Sequence, residues 1–478
     1  MLKNELRGWA RSGTKADMRI SPEDPSWTAP RGDTDWLDHD VLLATTWLAT
    51  LADQRTWGKR VTATRSYFFA SKERWIKGEK IPLYDQRDTA AWYIFQANAY
   101  ASDRMNWVPE EAVRIVPTFT RIGQELATLI GIPGAEERAA RLMNAERAQP
   151  DGGLFELLVA LSYRRSGWDT EFVPERPGIS RTHDINVRQR NEEWAVECKR
   201  MNRSNFEVSE RERGRALALP VHAIASSVNR SIIMQVAFNS ELESLPHNYL
   251  VGRASAYLLD SAVNSWVDAS SIGSIREVDW SLFRRVLDDD YVYYGSSRMV
   301  ELLVGRYDHD SAYSMAAEWR AAEACPFWAS AVSQASVVGW RNCSVEAIRK
   351  KARHFRSTIA SAADQLPKDR PGVIHVGVES WGGGDVDDKR HLLNLRQLDD
   401  FNPGDTPLLW VYGEYIAPEV TTRSDESWAI EETSVPYRVG THRTPEPLPG
   451  HMLLTPESNI KHGVHWDATT QRPRKREI

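Results

Sequence analysis

From Gly153 to Gly167 the chain reads GLFELLVALSYRRSG, and from Thr182 to Met201 it reads THDINVRQRNEEWAVECKRM. The first stretch has an apolar stripe at helical spacing, Leu154, Leu157, Leu158 and Leu161, and Ser166-Gly167 supplies a stop, so a helix carrying Glu156 is expected. TEFVP, from Thr170 to Pro174, reads as a strand. In EEWAVECKR, side chains alternate across a strand, so Trp194, Val196 and Cys198 share an apolar face while Ala195, Glu197 and Lys199 share the other. By the same rule Ile185 and Val187 face the core and Asp184 projects to the opposite side at the start of its strand. The polar run Arg188 to Glu193 contains Asn191 and suits a hairpin turn, which lays the two strands antiparallel and lets Asp184 and Glu197 converge.

Two carboxylates and a lysine are the groups that metal-dependent phosphodiester hydrolysis requires. Carboxylates hold a hard divalent cation, Mg2+ or Mn2+, which prefers oxygen ligands and keeps several waters. Such a cation lowers the pKa of a bound water and stabilises charge that develops on a phosphate. The lysine orients the water or holds the scissile phosphate. Without a cation the two acids repel, and one tends to stay protonated.

The stretch resembles the PD-(D/E)xK nuclease superfamily, the restriction-endonuclease-like fold. There the catalytic acid opens one strand, Glu-x-Lys lies on the next, and a preceding helix often carries another acid; the matching positions are Asp184, Glu197, Lys199 and Glu156. His183 stands where the superfamily name has proline. The resemblance covers Leu154 to about Met201 and implies that Asp184, Glu197, Glu156 and the main-chain carbonyl of Cys198 bind the metal. It implies an α/β fold with a mixed central sheet flanked by helices, and a divalent-metal-dependent endonuclease leaving 5′-phosphate and 3′-hydroxyl ends. Nucleic acid is the expected partner, DNA ahead of RNA, with bacterial restriction or anti-phage defence as the role by analogy. The alternatives are a catalytically silent nuclease-fold scaffold or binding subunit, and a nuclease active only with a partner.

Downstream, Ser344 is placed to cap a helix in which Val345, Ile348, Ala352, Phe355, Ile359 and Leu366 recur at helical spacing. GVIHVGV then reads as a buried strand, KRHLLNLRQLDDF as a helix and PLLWVYGEYI as a further strand. That order suits the later half of an α/β nuclease core. Gln365 is placed like a helix glutamine seen in some members, though a polar residue at a helix end is usually only solvated. Arg200, Arg203, Lys350 and Lys351 are candidate nucleic-acid contacts; for any one of them a solvated face is the plainer reading.

A net charge of −6 does not advertise nucleic-acid binding. A local cationic groove can nevertheless supply phosphate contacts in an acidic protein. No apolar run is long enough for a membrane span, and MLKNELRGWARSG lacks a signal core, so the cytoplasm is the expected location. Cys198, Cys325 and Cys343 have no paired spacing, and Cys198 reads as a buried core thiol.

The expected organisation is an irregular leader over 1–34, a mainly helical N-terminal domain over 35–149, the nuclease-like domain over 150–425 with an inserted module near 260–340, and a C-terminal extension over 426–478 with a basic tail. The N-terminal helical domain is available for recognition, a protein partner or a homodimer. The helix around SERERGRALALPVHAIASSV and the strand SIIMQVAF fit the nuclease core. Trp47, Trp57, Trp75, Trp92 and Trp107 read as core more readily than as base-stacking platforms, Asp288 to Asp290 as an acidic turn, and WGGGD as a loop. His462, His465 and Asp467 carry a weak zinc reading.

Overall fold

The alternation in WAVECK and the polar turn before it produce the hairpin. The computed structural model describes residues 38–76, 79, 81–103, 106–109, 115–174, 182–201, 203–323, 325–352, 355–380, 383–420, 428–456 and 463–467. Its strands, in chain order, are β1 Asp169–Phe172, β2 Ile185–Gln189, β3 Glu192–Met201, β4 Ile232–Phe238, β5 Ser265–Val267, β6 Ser271–Glu277, β7 Val292–Tyr293, β8 Ala312–Ala322, β9 Cys325–Asn342, β10 Gly372–Glu379, β11 Leu408–Val420 and β12 Trp428–Arg438. β2 and β3 pair antiparallel with Ile185 opposite Val196 and Gln189 opposite Glu192. The turn is therefore Arg190-Asn191, and Arg190 takes the left-handed backbone it requires (φ 55°).

The chain is mixed α/β, with two mixed sheets flanked by helices. Its contacts divide it into two compact units. One holds the described residues of Trp36–Asn205, Ile348–Glu419 and Ile430–Ile478; the other centres on Phe206–Ala347.

The first unit is built on a sheet of order β1-β2-β3-β10-β11-β12. β1 runs antiparallel to β2, whereas β10 is parallel to both β3 and β11. β10 is buried along nearly its whole length, as a central strand covered on both faces should be. One face takes the helix Asp151–Arg165, whose Phe155 ring lies against Gly377; a Cβ there would approach the ring to 2.8 Å. Gly167 ends that helix region in the left-handed conformation (φ 81°), with Trp168 N–H donating to the Tyr163 carbonyl. The other face packs Ala195, Ile374, Val376 and Val411 against Ile359 and Ala362 of the helix Arg356–Ala363 and Leu398 of the helix Gly384–Asp399.

The domain boundaries differ from the sequence reading in three places. Helices between 38 and 144 share a unit with the sheet, because Arg138 pairs with Glu156, Arg165 pairs with Glu125, and Phe172 N–H donates to the Pro133 carbonyl. Trp47, Trp92 and Trp107 are buried among them. The inserted unit extends from Phe206 to Ala347 and is wider than 260–340. β4 and the helix Asn205–Ser227 belong to it: β4 pairs parallel with β9 and antiparallel with β6, and Leu217, Val221, Met234, Phe238 and Val338 form one core. Finally, residues after 426 contribute β12 and the buried Leu448, Leu453 and Leu454 to the first unit.

The helix expected from Ser344 is capped by it, the Ala347 N–H donating to Ser344 Oγ (3.1 Å), but it forms two helices, Val345–Lys351 and Arg356–Ala363. Phe355 N–H turns to Asn394 Oδ1 (2.8 Å) and the Lys351 carbonyl accepts from Arg390, so the helical ladder is interrupted between them. The leader, His462 and the basic tail lie outside the described residues.

Candidate functional site

Asp184 N–H donates to the Val196 carbonyl (3.1 Å), which continues the register and sets Asp184 beside Glu197. Cys198 N–H donates to Asp184 Oδ2 (2.7 Å). A strand residue's N–H and C=O point to the same side of its strand, so the Cys198 carbonyl faces the edge where β2 begins. Lys199 Nζ donates to Glu197 Oε1. Glu197 is fully buried, whereas the Lys199 side chain retains 29% exposure, so the cluster opens to solvent at the lysine.

The electrostatics of this group are unbalanced. Burial, then the charges of Glu156 and Glu197, hold the Asp184 carboxyl well above the ordinary aspartate range. Burial pushes Glu197 up to about 7, although Lys199 and a hydrogen bond shared with Asp184 work to lower it. Burial works against the Lys199 ammonium, but Glu197 and Asp184 outweigh it and raise its pKa. Glu197 Oε2 is buried and meets no N–H donor among the described residues. The adjacent Asp184 carboxyl can donate only while protonated. Two acids thus face one cation, and a further positive charge would satisfy both. Asp184, Glu197 and the Cys198 carbonyl are oxygen donors fitted to Mg2+ or Mn2+.

Glu156 lies within electrostatic reach of Asp184 and Cys198 but is held differently from the expectation of a metal ligand. Arg138 donates to both its oxygens, Nη2 to Oε1 at 2.8 Å and Nε to Oε2, and also pairs with Glu146. The helix places Glu156 toward the site, and a guanidinium already neutralises it.

The other sequence candidates lie off these two contacts. Arg200 is paired with Glu379 (3.7 Å) and its side chain is only 15% exposed. Arg203 is half-buried. Lys350 is exposed and Lys351 buried at the end of their helix, and Gln365 is half-buried in the turn after Ala363. His183 Nε2 lies 2.6 Å from Asn186 Oδ1. His465 Nε2 lies 2.9 Å from the buried Asp387 and its Nδ1 2.9 Å from the Thr433 hydroxyl.

One group escaped sequence reasoning. His375 on β10, Glu414 on β11 and His451 converge in the interior, with His375 Nδ1 and His451 Nε2 each 2.8 Å from Glu414 Oε1. The available signal was a titratable residue inside each of two otherwise apolar strands, GVIHVGV and WVYGEYI. Burial alone would raise the Glu414 carboxyl, but His451 and His375 hold it well below the usual range; Glu414 in turn outweighs burial to raise His451.

No family model, curated protein or solved structure matches the chain. No helix among the described residues is long and apolar enough to cross a membrane.

Proposed function

We propose that the chain is a divalent-metal-dependent nuclease of restriction-endonuclease-like fold that hydrolyses phosphodiester bonds, with DNA as substrate in bacterial restriction or anti-phage defence. The observation that carries this reading is the buried pair Asp184 and Glu197, with an unsatisfied carboxylate oxygen and a partly exposed lysine beside it. The order of elements supports it: helix, antiparallel β1-β2-β3, then β10 parallel to β3. Asp184, Glu197 and the Cys198 carbonyl would hold Mg2+ or Mn2+, which when bound supplies Lewis acidity toward water and phosphate. Lys199, raised in pKa by the two acids, stays an ammonium at neutral pH and positions the attacking water or the scissile phosphate. Cys198 N–H fixes the Asp184 carboxylate, so its remaining oxygen points consistently. Glu156, engaged by Arg138, orients water only after that ion pair loosens. That engagement favours, as a second reading, a nuclease that a partner or its nucleic acid activates.

The test is cleavage of supercoiled plasmid, single-stranded DNA and RNA by wild type and Lys199→Ala, with Mg2+, Mn2+ or EDTA. Metal-dependent cutting that falls about 10²- to 10⁴-fold in the variant supports the proposal. Equal cutting by both proteins contradicts it, and the substrate that is cut decides between DNA and RNA.

A further inference from the structure

We infer that His375, Glu414 and His451 form a second metal site, closed and suited to zinc. It stands independently of the nuclease reading. The three donors come from β10, β11 and the segment after β12, and the fold brings them together in the interior, at 0%, 0% and 7% exposure. Their ligand atoms all lie within 4.8 Å of one another. Zinc binds imidazole nitrogen and carboxylate oxygen at about 2.0–2.2 Å, so opening the two 2.8 Å contacts by a few tenths of an ångström makes room for the ion.

The surroundings orient both rings as ligands. His451 Nδ1 lies 2.8 Å from the Leu448 carbonyl, which can only accept, so Nδ1 carries the proton and Nε2 is aimed at the centre. His375 Nε2 is anchored by the Tyr163 hydroxyl at 3.1 Å, which leaves Nδ1 facing the same point. Partners on the outer nitrogens are what metal-bound histidines generally have. Glu414 Oε2 is fully buried and has no partner among the described residues; it is the fourth donor at hand. Two nitrogens with a carboxylate select zinc over magnesium, which demands oxygen and retains its waters. The sheet itself separates this site from the other: His375 stands in register with Cys198, whose side chain points away from the face of Glu197 and Lys199. A metal here would tie the segment Leu448–Leu454 to the two central strands.

The full chain is produced in zinc-supplemented medium, desalted without chelator and analysed for metal, alongside Glu414→Gln and Asp184→Asn. The expected result is about one zinc per chain in wild type and in Asp184→Asn, and a loss of at least about tenfold in Glu414→Gln. If Glu414→Gln is insoluble, His451→Gln is read in the same way, and Co2+ substitution of wild type should give the visible absorption of a tetrahedral nitrogen-oxygen site. Wild type without stoichiometric zinc overturns the inference and leaves a metal-free glutamate-histidine ion pair. Zinc retained in the variant overturns it equally.

Discussion

The two faces of the first sheet carry buried donor sets of opposite character. On one face Asp184 and Glu197 share a single lysine, and burial, followed by repulsion from neighbouring acids, drives both carboxyls upward. On the other, Glu414 sits between two imidazoles and stays ionised. The first set has one positive charge for two acids and opens to solvent at Lys199; the second is closed and already neutralised by protons, which a metal must displace. The contrast teaches that a carboxylate's neighbours, rather than its burial, decide whether it calls for a hard cation from solvent or is satisfied within the fold.

Isosteric removal of each central carboxylate sharpens this contrast most. Glu414→Gln leaves two buried imidazoles without their counter-charge and should cost about 3–5 kcal/mol of stability in denaturant titrations. Glu197→Gln in EDTA at pH 8 relieves a repulsion and should be neutral or stabilising. If the two variants lose equal stability, the comparison fails.

The pH dependence follows with its own sign. Burial pushes the Glu197 carboxyl up to about 7, above its ordinary value of 4.5, so the folded protein binds the proton more tightly. In EDTA this contribution is fully present below about 4.5 and is lost as pH rises through about 7. Thermal melts of wild type should show that decline across the interval, and Glu197→Gln should flatten it. Glu414 acts in the reverse direction: its depressed carboxyl stabilises above the unfolded pKa and loses that contribution as acid protonates it.

A smaller effect comes from the helix Asp151–Arg165, which packs on one face of the sheet. Gly377→Ala sets a methyl group 2.8 Å from the buried Phe155 ring on the helix bearing Glu156 and Tyr163, and should destabilise by about 1–3 kcal/mol. An unchanged melting temperature would show that the helix is seated more loosely than its packing implies.

Much of the first set was legible because it is local. Alternation placed Glu197 and Lys199 on one face, the Arg188–Glu193 run announced the hairpin, and Ser166-Gly167 marked the helix end. The Arg138 partner of Glu156 was not legible, since it comes from a different helix 18 residues away. The second set was hidden more deeply. Its members are 39 and 37 residues apart, so no short spacing motif joins them; only the long-range pairing of β10 with β11 and the return of the chain to Leu448 do so. The extent of the inserted unit was missed for a related reason: the apolar run Ile232–Phe238 reads like a core strand of either sheet, and its pairing with β6 and β9 is not written in its periodicity.

On the proposed nuclease reading, Asp184 and Glu197 bind a divalent cation. Calorimetric titration of Mg2+ and Mn2+ into metal-free wild type and Asp184→Asn at pH 8 tests it most directly. Wild type should bind saturably, with a matching rise in melting temperature, and the variant should lose both. Identical titrations for the two proteins, or no binding to wild type, would contradict it.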